Sequence, residues 1–224
     1  MSLKTSQLPS LDFETTFAKR GVRYIIGMDE VGRGCIAGEV AVGAALIDLE
    51  QSESWPEGLR DSKLLSEKAR NELFPKLIDF VAGYSVGLAS VAEIEEQGII
   101  KALGLAGSRA IQGLLDQPEL VRAVTAAPVQ LILDGNIDYL GTKSFGFPVV
   151  TKVQADRDCV SVSAASVLAK VTRDDLMLKL AKSYPGYGLD KNKGYASAQH
   201  RRALIELGPT QIHRLSWLGK ILQG

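Results

Sequence analysis

The sequence has little cysteine, no net charge and no long apolar run. Its two cysteines, Cys35 and Cys159, form no CxxC pair and are too few for a disulfide framework, which favours a reducing, cytoplasmic setting. Charged residues interrupt the first twenty positions, so we expect no secretory signal peptide. Since no segment approaches the roughly 18–20 apolar residues of a membrane span, we expect no membrane partner either.

The charges balance over the whole chain but are unevenly distributed. From residue 191 onward, six basic residues are opposed by one acidic residue, Glu206, which leaves +5 on that stretch. A basic C-terminal segment beside a more acidic body is typical of a nuclease with an acidic metal site and a polyanionic substrate. A solvated helix face would explain the same charges equally well.

Apolar segments of strand length alternate with longer helical patterns. Strands are predicted at 23–28, 38–49, 80–90, 129–133 and 148–153, and helices at 68–77, 91–115, 161–180 and 197–207. Ser66 caps the first helix, which Pro75 is expected to interrupt. Short connections favour an antiparallel meander for the first three strands, and intervening helices favour parallel pairing for the last two. We predict one α/β unit, with a catalytic domain at 1–185 and a small helical C-terminal extension packed on it at 186–224.

Acidic residues follow three of the predicted strands. Asp29 and Glu30 come after the first, Asp134 after the fourth and Asp156 shortly after the fifth. A single Asp after a strand is more often a turn former or a helix cap, so the recurrence carries the argument. Ligand sites in open α/β sheets lie beyond strand ends, and hard divalent cations prefer oxygen ligands. The four acids therefore predict a site for two metal ions that hydrolyses phosphodiesters.

The adjacent pair Asp29 and Glu30 imposes a geometric condition. Neighbouring residues on a regular strand point to opposite faces of the sheet. We therefore expect the strand to break at this pair, with Gly32 and Gly34 providing the flexible backbone.

Residues 27–35 have the sequence GMDEVGRGC. This segment resembles the GxDEAGRG signature of a known family, ribonuclease HII, with Val31 in place of the usual Ala. The other family blocks follow in order: DSKLLS at 61–66, LDGN at 133–136, SAASVLAKVTRD at 163–174, YPGYGLDKNKGY at 184–195, GP at 208–209 and HRLSW at 213–217. The resemblance spans residues 25–217, nearly the whole chain.

The resemblance implies a fold and an activity. The fold is ribonuclease H-like, a mixed five-stranded sheet flanked by helices. The activity is a Mg²⁺- or Mn²⁺-dependent endonuclease that hydrolyses the RNA strand of RNA–DNA hybrids and incises 5′ of ribonucleotides embedded in duplex DNA, leaving 5′-phosphate and 3′-hydroxyl ends. Its implied roles are ribonucleotide removal and RNA primer processing. By motif, its metal-binding and catalytic acids are Asp29, Glu30, Asp134 and Asp156.

Two acids compete for the fourth position of the site. The family has Lys-Gly-Asp at a set distance before its Ser-Ala-Ala-Ser block. Counting back from Ser163 places Gln154, Ala155 and Asp156 there, so Asp156 is the match and Asp158 is a neighbouring surface or capping residue.

The resemblance also implies which residues bind the substrate. A protein distinguishes RNA from DNA through the 2′-hydroxyl. Gly32, Arg33 and Gly34 suit close backbone approach to that hydroxyl, and the family match assigns the sugar-packing tyrosine to Tyr195. Lys63 is a predicted phosphate contact. Weaker predictions for the duplex backbone are Lys191, Lys193 and Arg214.

Two other functions remain open from the residues alone. One is a different two-metal nuclease, which resolves DNA junctions or degrades DNA. The other is a module that binds hybrids without cutting them. We expect a monomer whose partners are RNA–DNA hybrid and ribonucleotide-containing duplex DNA, and recruitment by a replication clamp is left undecided.

Overall fold

A five-stranded mixed sheet forms the centre of the computed structural model, which describes residues 8–52 and 54–222. The strands are β1 (Tyr24–Val31), β2 (Val40–Asp48), β3 (Gly83–Ala89), β4 (Val129–Asp134) and β5 (Val149–Lys152), in the spatial order β3-β2-β1-β4-β5. The pairs β1–β2 and β2–β3 are antiparallel, whereas β1–β4 and β4–β5 are parallel. The predicted meander and the predicted parallel half are both confirmed.

Helices cover both faces of the sheet. The first five are α1 (Asp12–Ala18), α2 (Glu67–Phe80), α3 (Val91–Gln97), α4 (Ile99–Leu115) and α5 (Pro118–Ala126). The others are α6 (Ala155–Asp158), α7 (Val160–Ser183), α8 (Leu189–Asn192), α9 (Ala198–Leu207) and α10 (Gly219–Leu222). This arrangement confirms the predicted fold class, and the cap predicted at Ser66 for α2 is confirmed. The structure also shows that Ser197 caps α9.

The alternation of side chains along β1 divides the core into two layers. Ile26 and Met28 point into an apolar cluster with α4 and α5, and Ile25 points into a second cluster with α2 and α7. Each face of the sheet is therefore buried, which explains why all residues of β2 are buried.

Helix α7 lies unusually close to the sheet. An added Cβ at Gly27 would be 2.3 Å from the carbonyl carbon of Ser161, and one at Gly43 would be 2.6 Å from the carbonyl oxygen of Ala165. Small residues on the helix and glycines on the strands thus permit the contact. The approach brings the polar residues of α7 within reach of the end of β1.

Three helical features differ from the sequence prediction. Pro75 does not interrupt α2, because both it and Asn71, whose carbonyl loses its partner, are exposed to water. The predicted helix 91–115 is two helices, α3 and α4, divided at Gly98, whose φ of 79° is not helical. The third difference is that helix α5 is not predicted, and neither are α1 and the short helices α6, α8 and α10.

A third apolar cluster joins the C-terminal residues to the rest of the chain. Met177 of α7 packs there with Ile36 and Ala37, and with Leu204 of α9 and Leu218. The division at residues 185 and 186 stays a prediction. No helix in the described part of the chain is long and apolar enough to span a bilayer.

Candidate active site

The acidic pair lies near the end of β1, on a regular strand. Asp29 pairs with Gly43 and Glu30 with Val42, and the strand continues to Val31. The predicted break at Asp29 and Glu30 is therefore wrong. The two side chains leave opposite faces of the strand, and they approach a common edge because β4 pairs with β1 only as far as Met28.

Asp29 is held on the α7 side of the sheet. The residue is 3% exposed, and the Ser166 hydroxyl of α7 lies beside its carboxylate and favours its ionised form. The Ser166 hydroxyl in turn lies 2.8 Å from the hydroxyl of Ser62. The family blocks at 61–66 and 163–174, remote in sequence, thus meet at this acid.

Asp134 and Asp156 come together from neighbouring elements. Asp134 ends β4, and its carboxylate accepts a hydrogen bond of 3.3 Å from the backbone N–H of Asp156. Asp156 lies in the short helix α6, which Ser163 secures by donating a 2.7 Å hydrogen bond to the Asp156 carbonyl. Asp158 instead contacts Lys152, which supports Asp156 as the acid on the site.

Burial and mutual repulsion disfavour negative charge at three of the acids. Burial raises the pKa of Asp29 well above its usual value, with Glu30 and Asp134 adding to the shift. Burial also raises the pKa of Asp134 and Asp156; Glu30 adds to the first shift, and Asp134 adds to the second. A cation placed among these groups would stabilise their ionised forms.

Lys63 supplies a positive charge at the same place. Its Nζ lies 3.2 Å from Oδ2 of Asp156. Burial alone would lower the pKa of Lys63, but the carboxylates of Asp29, Asp156 and Asp61 outweigh burial and raise it. Asp61 is fully buried and fixes the turn by accepting a 2.9 Å hydrogen bond from the Lys63 backbone.

A cleft of about 200 Å³ opens beside the acids. Its walls are Glu30, Val31, Gly32, Arg33, Gly34, Ser62, Lys63, Lys170 and Tyr195. The predicted substrate residues therefore share one cavity. The Tyr195 ring is 43% exposed, and its hydroxyl contacts the thiol of Cys35, directly after Gly34.

Two of the predicted phosphate contacts are wrong. Arg214 is completely buried, and its guanidinium donates hydrogen bonds to the carbonyls of Gly32, Arg33 and Gly38. The Lys193 side chain is 8% exposed, with Nζ 3.7 Å from Glu67. The net positive charge of the segment from residue 191 onward does not indicate which of its residues are exposed. In the folded chain, Arg214 and Lys193 are buried. Lys191 is exposed and stays a predicted contact.

The sequence prediction assigned no role in the site to several residues that the structure brings to it. Ser166 and Asp61 belong to two of the family blocks, but the sequence predicts no individual role for either of them. Tyr139 follows β4, and its buried hydroxyl has no hydrogen-bond partner in the described part of the protein. It lines a cavity of about 30 Å³, large enough for one water, with Glu30 and Asp134. The signal in the sequence for Asp61 is its place in the DSK motif, two residues before Lys63.

The donor chemistry of this site fits divalent cations. In residues 8–52 and 54–222, no three His, Cys, Asp or Glu side chains converge closely enough to hold a metal ion. The acids instead form a loose cluster, with Lys63 against Asp156 and with Asp29 and Glu30 on opposite faces. All four predicted ligands are carboxylates, as Mg²⁺ and Mn²⁺ prefer, and repulsion within the cluster favours uptake of a cation.

Comparison with known proteins identifies the family. Residues 26–220 match the family model described as Ribonuclease HII. A ribonuclease HII of Streptomyces avermitilis is 44% identical over 200 residues, which cover 89% of this chain and 79% of the relative. The chain therefore belongs to the ribonuclease HII family, and it is a ribonuclease H that cuts RNA–DNA hybrids internally.

Solved structures agree in fold. The ribonuclease H2 of Pyrococcus horikoshii OT3 has a TM-score of 0.68 and 29% identity, and the match covers 89% of this chain and 97% of that one. Bst-RNase HIII, solved in complex with Mn²⁺, has a TM-score of 0.69 and 23% identity, with 91% of this chain and 69% of that chain covered. The family to which the chain belongs depends on divalent metal ions.

Proposed function

We propose that this ribonuclease also incises duplex DNA on the 5′ side of single embedded ribonucleotides and leaves 5′-phosphate and 3′-hydroxyl ends. One observation carries the proposal: Glu30 lines a cleft that also contains the Gly32–Gly34 backbone and the exposed ring of Tyr195, and Lys63 on its wall contacts Asp156. Such a cleft offers hydrolytic chemistry and sugar recognition side by side. Roles in ribonucleotide removal and RNA primer processing follow from this activity.

The four acids would hold two divalent cations, Mg²⁺ or Mn²⁺. Asp29, Glu30, Asp134 and Asp156 are the ligands, and the Mn²⁺ complex of Bst-RNase HIII supports the choice of metal. Two such ions held by these acids would supply an activated water and stabilisation of the leaving oxygen for phosphodiester hydrolysis. Because the pKa values of Asp29, Asp134 and Asp156 are raised, metal binding would displace protons from these acids, and the affinity for metal would increase with pH.

The residues around the cleft orient the substrate. Backbone groups of Gly32, Arg33 and Gly34 hydrogen-bond the 2′-hydroxyl and the adjacent phosphate, and Tyr195 packs on the neighbouring sugar. Lys63, whose side chain is 63% exposed, contacts a phosphate from the rim while its amino group stays near Asp156. Because DNA lacks the 2′-hydroxyl, it leaves these backbone groups unpaired and binds less well.

Three duplexes test this proposal. The purified chain is incubated with Mg²⁺ or Mn²⁺ and an all-DNA duplex, a DNA duplex with one ribonucleotide, or an RNA–DNA hybrid. We expect metal-dependent cutting of the last two and none of the first, with end-labelling to locate the cut 5′ of the ribonucleotide. Equal cutting of the all-DNA duplex would indicate a general two-metal nuclease, and binding of hybrid without cutting would indicate a binding module.

A further inference from the structure

Two consecutive residues near the C-terminus connect both halves of the proposed sugar-binding site. Arg214 reaches the Gly32–Gly34 segment, and His213 leads to Tyr195 through one further side chain. Neither residue enters the cleft. Their contacts can therefore affect the position of the Gly32–Gly34 segment and of Tyr195, but they do not take part in hydrolysis.

The Arg214 side chain is a buried cation that donates hydrogen bonds to backbone carbonyls. Its Nη1 donates to Arg33 O at 2.8 Å, and its Nη2 donates to Gly32 O at 2.8 Å and to Gly38 O at 2.9 Å. In the described part of the chain, no carboxylate lies within 4.0 Å of it. Burial lowers the Arg214 pKa to about 10, so the hydrogen bonds hold a charge that the interior disfavours.

The His213 side chain begins a chain of hydrogen bonds with a fixed direction. The Thr210 backbone N–H donates to His213 Nδ1 at 3.0 Å, so this nitrogen is the acceptor and Nε2 bears the proton. His213 Nε2 then donates to His200 Nε2 at 3.2 Å, and His200 Nδ1 donates to the carbonyl of Tyr195 at 2.9 Å. Both imidazoles are buried, and both are neutral in this arrangement.

Backbone contacts join the same segments. Arg214 N donates to Ile36 O, and Gly38 N donates to Ile212 O, each at 2.8 Å, with Ala37 and His213 forming an antiparallel bridge. On the other side, Ile36 N donates to Gly194 O at 2.9 Å. The strip 36–38 is thus held between residue 194, next to Tyr195, and residues 212–214.

We propose that His213 and Arg214 are positioning residues that set the distance between the Gly32–Gly34 backbone and Tyr195, and thereby control discrimination between ribonucleotide and deoxyribonucleotide. The inference rests on the proposed role of those two groups in reading the sugar. A guanidinium fork spans three carbonyls in a fixed plane, which a single ammonium group does not. Loss of the fork lets the glycine segment shift relative to Tyr195.

The test compares Arg214→Lys with Arg202→Lys, a matched change at an exposed position of α9. Dissociation constants are measured in an Asp134→Asn background, with Mn²⁺, for an all-DNA duplex and for the same duplex with one ribonucleotide. Because displacement of a positioned group by about 1 Å can cost on the order of 100-fold, we expect Arg214→Lys to lower the ratio of the two constants by about 10- to 100-fold. Arg202→Lys leaves the ratio unchanged.

A second pair of variants tests the histidine branch. The amide of His200→Gln can accept from His213 and donate to Tyr195 O, whereas His200→Leu can do neither. We expect the leucine variant to lose discrimination and the glutamine variant to keep most of it. If Arg214→Lys fails to fold, the comparison of His200→Leu with His200→Gln still tests whether these contacts control discrimination.

The outcomes separate this inference from the proposed function. If the parent protein binds both duplexes equally well, the proposed sugar reading is wrong. If the parent protein discriminates and folded Arg214→Lys and His200→Leu do so to the same extent, His213 and Arg214 do not position the site. Weaker binding of both duplexes with an unchanged ratio would indicate a purely structural role and would also overturn the inference.

Discussion

At the scale of single residues, identical acids take different roles because of their surroundings. Asp156 lies against Lys63 and Asp134, whereas Asp158, two positions on, pairs with Lys152 outside the site. Sequence alone separated the two by counting residues within a motif. The structure gives the physical basis, since α6 turns one carboxylate towards the sheet edge and the other away.

The two neighbouring acids provide a matched prediction. We expect Asp156→Asn to lower turnover of an RNA–DNA hybrid more than about 100-fold, because a lost metal ligand should exceed the effect of a lost supporting contact. Asp158→Asn should retain near-normal turnover. Initial rates at saturating Mn²⁺, with hybrid binding measured separately, check this expectation, and equal losses in both variants would remove Asp156 from the site.

Tyr195 gives a second prediction at this scale. Its ring is 43% exposed at the cleft, so its removal should leave the core intact. We expect Tyr195→Ala to lower kcat/KM on a single embedded ribonucleotide by about 10- to 100-fold through misplacement of the sugar, with little change in thermal stability. Ile205→Ala, a change at another exposed apolar residue, serves as the control. A decrease in thermal stability large enough to account for the loss of activity would contradict the assigned role.

At the scale of elements, the contact between α7 and β1 carries the site. Gly27 lets the helix approach the strand, and Ser166 on that helix then reaches Asp29 two residues along β1. The close approach thus links the packing of the core to the position of Asp29, one of the four proposed metal ligands. A side chain at Gly27 would separate the two elements.

This contact yields a stability prediction. In Gly27→Ala the new Cβ would meet the Ser161 backbone at 2.3 Å, and a backbone cannot move aside as a side chain can. We expect a loss of about 3 kcal/mol in the free energy of unfolding, measured in urea. Gly219→Ala, where no atom lies within 4 Å of an added Cβ, should change it by less than about 1 kcal/mol. Equal effects would show that α7 does not depend on Gly27.

At the scale of the whole molecule, the C-terminal residues are tied to the catalytic half by buried polar groups. Arg214, His200 and His213 are all inside, and Ser216 donates to Glu95 of α3. Protonation of His200 or His213 would place an additional positive charge inside this region, which burial disfavours. The stability of the protein should depend on pH for that reason.

The pH dependence has a definite sign. Burial lowers the pKa of His213 from 6.5 to about 4, so below pH 6.5 the unfolded chain binds a proton that the folded chain does not. Stability is complete above pH 6.5 and declines towards pH 4, by about 1 kcal/mol between about pH 7.5 and about pH 5.5. His213→Gln should be less stable near neutrality but should lose less on acidification, as urea unfolding at the two pH values will show. Parallel losses in both proteins would refute the assignment.

The family and the sheet, with its antiparallel and parallel halves, were predictable from the chain alone, and the same motifs predict the four acids of the site. Motif order and apolar patterning are local properties, so they can be read from the chain. Strand ends predicted a common edge for Asp29, Asp134 and Asp156, and motif spacing distinguished Asp156 from Asp158.

Which charges are buried, and which backbone groups they bind, depends on the packing of the folded chain. Arg214 and Lys193 are basic residues of the type that binds phosphate. They are buried, however, and burial cannot be inferred from residue type. Likewise β1 stays regular through Glu30, because pairing with β2 continues there, and the site forms because β4 ends early. The Gly32–Gly34 segment acquires its position from residues almost two hundred positions away, a relation that no local pattern contains.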